Sequence, residues 1–129
     1  MNQRIARVFM VILGALTICA PVYAHHGGAS YDTTKVVTLK ATVTDYKLTN
    51  PHAAIYFDVK DESGNVVHWA AELNAPSWLL RKGWTRNSLK PGDQVTIVAR
   101  PNKEENVRVV SLQKVILANG EELENGQPQ

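Results

Sequence analysis

Hydrophobic and polar residues alternate along the middle of the chain, and this alternation predicts short β-strands. The first such stretch places Val37, Leu39, Ala41 and Val43 on one side, with threonine or lysine between them. This is the pattern of a strand with one buried face. After Asp45 the apolar positions change parity, and a β-bulge near this residue would keep the buried face continuous while bending the strand. A long, bent first strand is typical of small closed barrels.

Two further strands are predicted on either side of a turn at Ser63-Gly64-Asn65. A three-residue loop at this position pairs Glu62 with Val66 and so sets the register of the hairpin. In that register Val59 faces Trp69, and the apolar residues of both strands lie on one side of the sheet. The hairpin is therefore expected to share its buried face with the first strand.

A short helix is predicted after the third strand, at residues 76–83. Pro76 stands near the start, basic residues stand in the last turn and Gly83 stands at the end, as is usual at helix boundaries. Either Trp78 or Trp84 is expected to close one end of the fold.

Two more strands complete the pattern. Turn residues at 89–93 precede an alternating fourth strand, and a fifth is expected at about 107–117, with a change of parity between Val109 and Leu112. Three strands, a helix and two strands form the order of an OB-like, five-stranded all-β barrel with its helix between strands 3 and 4. A generic β-sandwich is the alternative.

The first 24 residues have the three parts of a secretory signal peptide. Arg4 and Arg7 precede an apolar stretch at 8–20, and small residues surround a cleavage point after Ala24. An uncleaved membrane anchor needs about 20 apolar residues, whereas this stretch offers 13. We therefore expect an exported protein, periplasmic or secreted, with no stable membrane insertion. The predicted organisation is a signal peptide (1–24), a flexible leader (25–35), an OB-like domain (36–118) and a polar tail (119–129).

Removal of the signal would leave a domain with no net formal charge. The chain has 14 basic and 12 acidic residues, and the loss of Arg4 and Arg7 brings both counts to 12. Nucleic acids are bound by clustered lysine and arginine, so this balance argues against a nucleic-acid partner. The removed segment also contains the single cysteine, so the mature domain would have neither a disulfide nor a thiolate metal site.

Four histidines follow the predicted cleavage site: His25, His26, His52 and His68. If His25 becomes the first residue, its α-amine and its imidazole can close a chelate ring on one metal ion, since both groups can be neutral near pH 7. Nitrogen-rich donor sets suit Cu(II) best, so copper is the predicted metal, with His26 and His52 as further ligands. The alternative is a disordered leader whose histidines bind metal only adventitiously.

The hairpin register distinguishes the other two histidines. His68 would lie opposite Lys60, whose ammonium group would oppose a bound cation, so His68 is expected to be a solvent-facing strand residue. His52 follows Asn50-Pro51 in a turn and has no such opponent. An imidazole in a turn can also serve only to bond the loop backbone, and this alternative stays open for His52.

No catalytic arrangement can be assembled from the sequence, because the mature chain has no cysteine and no serine in a nucleophile elbow. The alternative to copper binding is a metal-free interaction module for a glycan, a peptide or an envelope protein. In the predicted register Tyr56 lies across from Glu72 on the outward face, and the two form a candidate ligand-binding patch.

Several short motifs together resemble those of a family of small exported bacterial proteins of unknown function. They are Ala24-His25-His26, Asn50-Pro51-His52, Trp69 with Glu72, Pro76, Gly83-Trp84 and Leu89-Lys90-Pro91-Gly92-Asp93. The resemblance implies an exported OB-like domain and brings no established activity with it. The leading hypothesis is therefore a periplasmic binding or accessory protein for a small ligand or an envelope partner, with copper held at its processed terminus.

Overall fold

The computed structural model describes residues 27–126, which form one sheet and a short helix. The elements are a 3-10 helix (Gly27–Ser30), β1 (Val37–Lys47), β2 (Ala54–Lys60), β3 (Val66–Glu72), α1 (Pro76–Arg81), β4 (Gln94–Arg100), β5 (Val109–Leu117) and β6 (Glu122–Glu124). The strand order is β3-β2-β1-β4-β5-β6, and an additional pairing of β3 with β5 closes the first five strands into a barrel. The predicted five-stranded, OB-like architecture, with one helix between the third and fourth strands, is confirmed.

β1 pairs with β4 along its first part and with β2 along its second part. The register with β2 shifts between Val43 and Asp45, so the predicted bulge near Asp45 is confirmed. A bulge adds an unpaired residue and bends its strand, which allows one long strand to serve both sides of a small barrel.

The barrel interior is filled by apolar side chains from all five strands. The most deeply buried of these strand residues are Val43, Ile55, Phe57, Ala71, Ile97, Ala99, Val110 and Val115. Of the two tryptophans predicted to close the fold, Trp84 is buried, with 1% of its surface exposed. Its indole N–H donates to the Glu124 carbonyl at 2.8 Å, so the residue also ties the chain after α1 to β6.

The hairpin between β2 and β3 differs from the predicted one. Lys60, rather than Glu62, pairs with Val66, so the predicted register is wrong by two residues. Asp61 accounts for the difference: its carboxylate accepts hydrogen bonds from the backbone N–H groups two and four residues further along, at 2.9 and 2.8 Å. This Asx-type turn places the loop one residue earlier than predicted. Because the error is an even number of residues, the same side chains still face the core.

The irregular position in β5 also differs from the prediction. Val98 pairs with Lys114 and Ala99 pairs with Leu112, so Gln113 is the extra residue. The parity of buried positions therefore changes after Leu112 rather than between Val109 and Leu112.

Both ends of the domain carry more structure than the sequence predicted. The predicted polar tail contains β6, which pairs antiparallel with β5. Within the predicted flexible leader, Gly27–Ser30 is helical and Tyr31 is only 7% exposed. The predicted signal peptide, together with His25 and His26, lies outside the described residues. Among residues 27–126, no helix has the length and apolar character needed to cross a membrane.

Candidate functional site

A small cavity lies beside the seam where β3 meets β5. The two strands are parallel along this seam, and Glu72 pairs with Ser111 at its end. The cavity has a volume of about 180 Å³, which is smaller than the roughly 300–1,000 Å³ of sites for drug-sized ligands. Its size fits an ion or a very small molecule.

The cavity lies on the outer side of the barrel wall. Ala53 and Leu73 point into the core, with 0% and 2% exposure, and successive side chains of an extended chain point to opposite faces. Their neighbours in sequence therefore point outward, and two segments near the chain ends cover them. The polar residues of the cavity wall are His52, Glu72, Asn74, Ser111, Tyr31 and Asn125.

His52 is oriented by a backbone carbonyl. Its Nδ1 lies 3.1 Å from the Leu73 carbonyl oxygen, and because a carbonyl can only accept, Nδ1 must carry the proton. In the neutral imidazole this leaves the Nε2 lone pair free. Imidazoles that bind metals in proteins almost always donate their other ring N–H in this way.

Glu72 is held by a tyrosine from the N-terminal segment. The Tyr31 hydroxyl donates to Oε2 of Glu72 at 2.6 Å. Burial, reinforced by the neighbouring carboxylate, raises the pKa of Tyr31 well above its usual range, so the hydroxyl keeps its proton and remains a donor. The hydrogen bond fixes one carboxylate oxygen of Glu72 and leaves the other for a further partner.

The segment that carries Tyr31 is fastened to the loop between β4 and β5. The Asp32 N–H donates to the Pro101 carbonyl and the Lys103 N–H donates to the Ser30 carbonyl, both at 2.9 Å. The Lys103 ammonium also donates to the Ala29 carbonyl at 2.8 Å. The chain therefore approaches the cavity along a defined path from residue 29 onward.

Asn125 forms another part of the cavity wall. Its Oδ1 accepts a hydrogen bond from the Asn74 N–H and its Nδ2 donates to the Leu112 carbonyl, both at 2.9 Å. Its own carbonyl accepts from the Trp78 indole at 3.0 Å. These bonds join the C-terminal segment to β5 and to the start of α1, and they give the cavity a fixed wall.

The positions of the candidate residues in the structure differ from those that the predicted hairpin register implies. His52 and Glu72 line the same cavity, whereas Tyr56 lies on the outer face of β2, 40% exposed. Tyr56 pairs with Ala70, and Glu72 pairs with Ala54. The prediction that Tyr56 and Glu72 lie directly across from each other is therefore wrong.

The register also changes the surroundings of His68. Its side chain is 85% exposed, as expected for a solvent-facing residue. Its cross-strand partner is Asp58 rather than Lys60, and Nδ1 of His68 lies 2.6 Å from an Asp58 carboxylate oxygen. The prediction that Lys60 lies opposite His68 is therefore wrong, whereas the prediction that His68 faces solvent is confirmed.

The residues that sequence reasoning missed are the ones that position the site: Tyr31, Asn74, Ser111 and Asn125. Within residues 27–126, no three His, Cys, Asp or Glu side chains are grouped closely enough to hold a metal ion by themselves. In the described part of the chain, the cavity thus offers one imidazole and one carboxylate.

Comparison with known sequences places the chain in a family without assigning an activity. Residues 14–111 match the profile of a family of unknown function, DUF6152. The match spans most of the chain, from the predicted signal peptide to the residue that pairs with Glu72 at the barrel seam. No curated protein sequence matches the chain significantly.

Proposed function

The chain belongs to DUF6152, a family of unknown function, and we propose that it is a small exported binding protein that holds Cu(II) at the cavity beside the β3–β5 seam. The ligands are the α-amine and imidazole of His25, with His26 and His52. The observation that carries the proposal is the hydrogen bond from Nδ1 of His52 to the Leu73 carbonyl, because it leaves Nε2 as a lone pair for a metal.

The short chain length between His25 and Tyr31 supports this arrangement. Tyr31 lines the cavity, and His25 stands only six residues before it. Six residues span at most about 20 Å when fully extended, and less here because Gly27–Ser30 is a 3-10 helix, so His25 lies within a short chain length of the cavity wall. The fastening of residues 30–32 to the β4–β5 loop supports delivery of the preceding residues to this side of the barrel.

Copper is favoured by the chemistry of the donors. An α-amine and imidazoles form a nitrogen-rich set, which binds Cu(II) more strongly than Ni(II) or Zn(II). The amine becomes a ligand only if cleavage after Ala24 makes His25 the first residue. The export proposal and the copper proposal therefore predict the same first residue, and one preparation of the protein tests both.

The test is a Cu(II) competition titration on processed protein, with mass spectrometry to establish its first residue. Mass spectrometry should show His25 as that residue, and the protein should bind one Cu(II). A variant with an added methionine before His25 lacks the chelating amine, and His52→Ala lacks the imidazole at the cavity. Each should weaken binding by about tenfold or more, while the matched control His68→Ala should not. Equal, weak affinity in all four proteins would contradict the proposal, as would a different first residue.

A metal-free interaction module is the second candidate, and the exposure of Tyr56 favours it. Tyr56 is 40% exposed, and the Lys47 ammonium lies 5.3 Å from the centre of its ring. An aromatic ring next to a cation can bind a glycan or a peptide with acidic groups. In this case Tyr56→Ala should impair partner binding, whereas deletion of residues 25–28 should not. Normal partner binding by Tyr56→Ala would reject this candidate.

A further inference from the structure

The carboxylate of Glu72 lacks a cationic partner in the described structure. Glu72 is partly buried, and none of the ion pairs among residues 27–126 includes it. Its hydrogen bond from Tyr31 engages one of its two oxygens. Removing a carboxylate from water is costly unless the charge is paired, so this position favours a cation.

The cavity around Glu72 is also unusual in its charge. Within the described part of the chain, its wall contains a carboxylate and no lysine or arginine. Three other surface clefts of the barrel each have at least one basic side chain in their walls, such as Arg100, Lys90 or Arg108. The Glu72 carboxylate therefore attracts a cation in this cavity, and no lysine or arginine in the described wall repels it.

Strand pairing places Glu72 and His52 near the same end of the β2–β3 pair, and both residues line the cavity. Glu72 pairs with Ala54. Beyond this pair the register shifts by one residue, because the Ala53 carbonyl accepts from the Leu73 N–H at 2.9 Å but the Ala53 N–H donates to the Asn74 carbonyl at 3.2 Å. His52 lies two residues before Ala54 in sequence, and its Nδ1 bonds to the carbonyl of Leu73, the residue that follows Glu72. An imidazole and a carboxylate in the wall of one small cavity can bind the same metal ion.

We propose that Glu72 is an oxygen ligand of the metal ion, beside Nε2 of His52, and that Tyr31 is the positioning residue that orients the carboxylate. This inference rests on the proposed copper site and adds a charged ligand to its nitrogen donors. Hydrogen bonds to ligating carboxylates are a general feature of protein metal sites. Tyr31 is suited to this role because it is buried and its backbone is bridged to Asn102.

The experiment compares Cu(II) affinity and electron paramagnetic resonance spectra of processed protein and four variants. Glu72→Gln keeps the shape of the side chain and removes its charge, and it should weaken binding by about 10–100-fold. Its spectrum should keep the nitrogen hyperfine pattern of the histidines, with g values shifted by the loss of a charged oxygen ligand. Glu72→Asp should bind more tightly than Glu72→Gln. Tyr31→Phe should also shift the g values, since the carboxylate is no longer held in place. The exposed Glu62 gives the matched control Glu62→Gln, which should behave as the unmodified protein.

The outcomes separate this inference from the proposed function. If Glu72→Gln leaves affinity and spectrum unchanged while His52→Ala and the added methionine weaken binding, Glu72 is not a ligand and the histidine site stands. If none of these changes alters binding, both proposals fail. Thermal unfolding without metal shows whether a variant is folded. If Glu72→Gln does not fold, Glu72→Asp tests the assignment instead. A ligand shortened by one methylene group must change the spectrum. A spectrum identical to that of the unmodified protein would therefore refute the assignment.

Discussion

Replacement of Asn125 by alanine should destabilise the protein, because this side chain joins β5 to Asn74 in the segment between β3 and α1. Asn125 is 7% exposed. Its Oδ1 accepts from the Asn74 N–H, and its Nδ2 donates to the Leu112 carbonyl. Alanine would leave both backbone groups without a partner at a place with little access to water.

The magnitude follows from these two groups. A buried backbone group that loses its partner costs about 1–3 kcal/mol. With partial relaxation, Asn125→Ala should therefore lower the free energy of unfolding by about 2–4 kcal/mol. The bonds of the Asn125 backbone to Gln113 and Trp78 do not depend on its side chain and should persist. A loss of 1 kcal/mol lowers Tm by about 4–8 °C in a domain of this size, so the expected shift is roughly 10–30 °C.

The assay is urea denaturation followed by far-ultraviolet circular dichroism. This signal is preferable to fluorescence because Trp78 and Trp84 both bond to the C-terminal segment and would report a local change. Asn119→Ala is the control: its Oδ1 also accepts from a backbone N–H, that of Glu121, but at an exposed site, and such changes usually stay within about 0.5 kcal/mol. A loss below about 1 kcal/mol for Asn125→Ala, or equal losses in the two variants, would refute the reasoning.

Two further predictions concern single side chains. Within residues 27–126 the buried Tyr46 hydroxyl has no hydrogen-bond partner, so Tyr46→Phe should leave the free energy of unfolding unchanged or raise it by up to about 1 kcal/mol; a clear decrease in urea denaturation would show that a partner exists. The backbone N–H of Asn65 is the main cause that lowers the pKa of Asp61. A carboxyl group with a lowered pKa in the folded state contributes stability above its unfolded pKa and loses that contribution as pH falls through its folded pKa. Stability measured from about pH 4 to pH 2 should therefore decline less in Asp61→Asn than in the unmodified protein, and parallel declines would contradict this.

The strands and their buried faces could be predicted from the sequence because each is encoded locally. Alternation from Val37 to Val43 marks a half-buried strand, and the parity change after it requires an extra residue, which the structure has between Val43 and Asp45. Pro76 and Gly83 bound the helical turn in the same local way. The order of these elements was then sufficient to predict the barrel.

The hairpin register was harder to predict, because several loops fit one pattern. A loop at 63–65 and a loop one residue earlier both keep Phe57 and Trp69 on the core side, so hydrophobicity does not choose between them. The choice is made by the Asp61 carboxylate and by Gly64, whose φ of 82° suits the last position of a three-residue loop. Reading Asp61 as the start of an Asx turn would have given the correct register.

The cavity could not be predicted, because its geometry comes from contacts between distant parts of the chain. Tyr31 and Glu72 are 41 residues apart, and Asn74 and Asn125 are 51 apart. Histidine is the commonest metal ligand among side chains, so the sequence alone indicates His52 as a candidate. Tyrosine and asparagine are common residues whose roles depend on a partner. Here the partners, Glu72 and Asn74, lie far away in sequence and are close only in the folded barrel. The same holds for Glu72: the sequence indicates only its neighbours across the hairpin, whereas the residue that orients it, Tyr31, comes from a segment before β1.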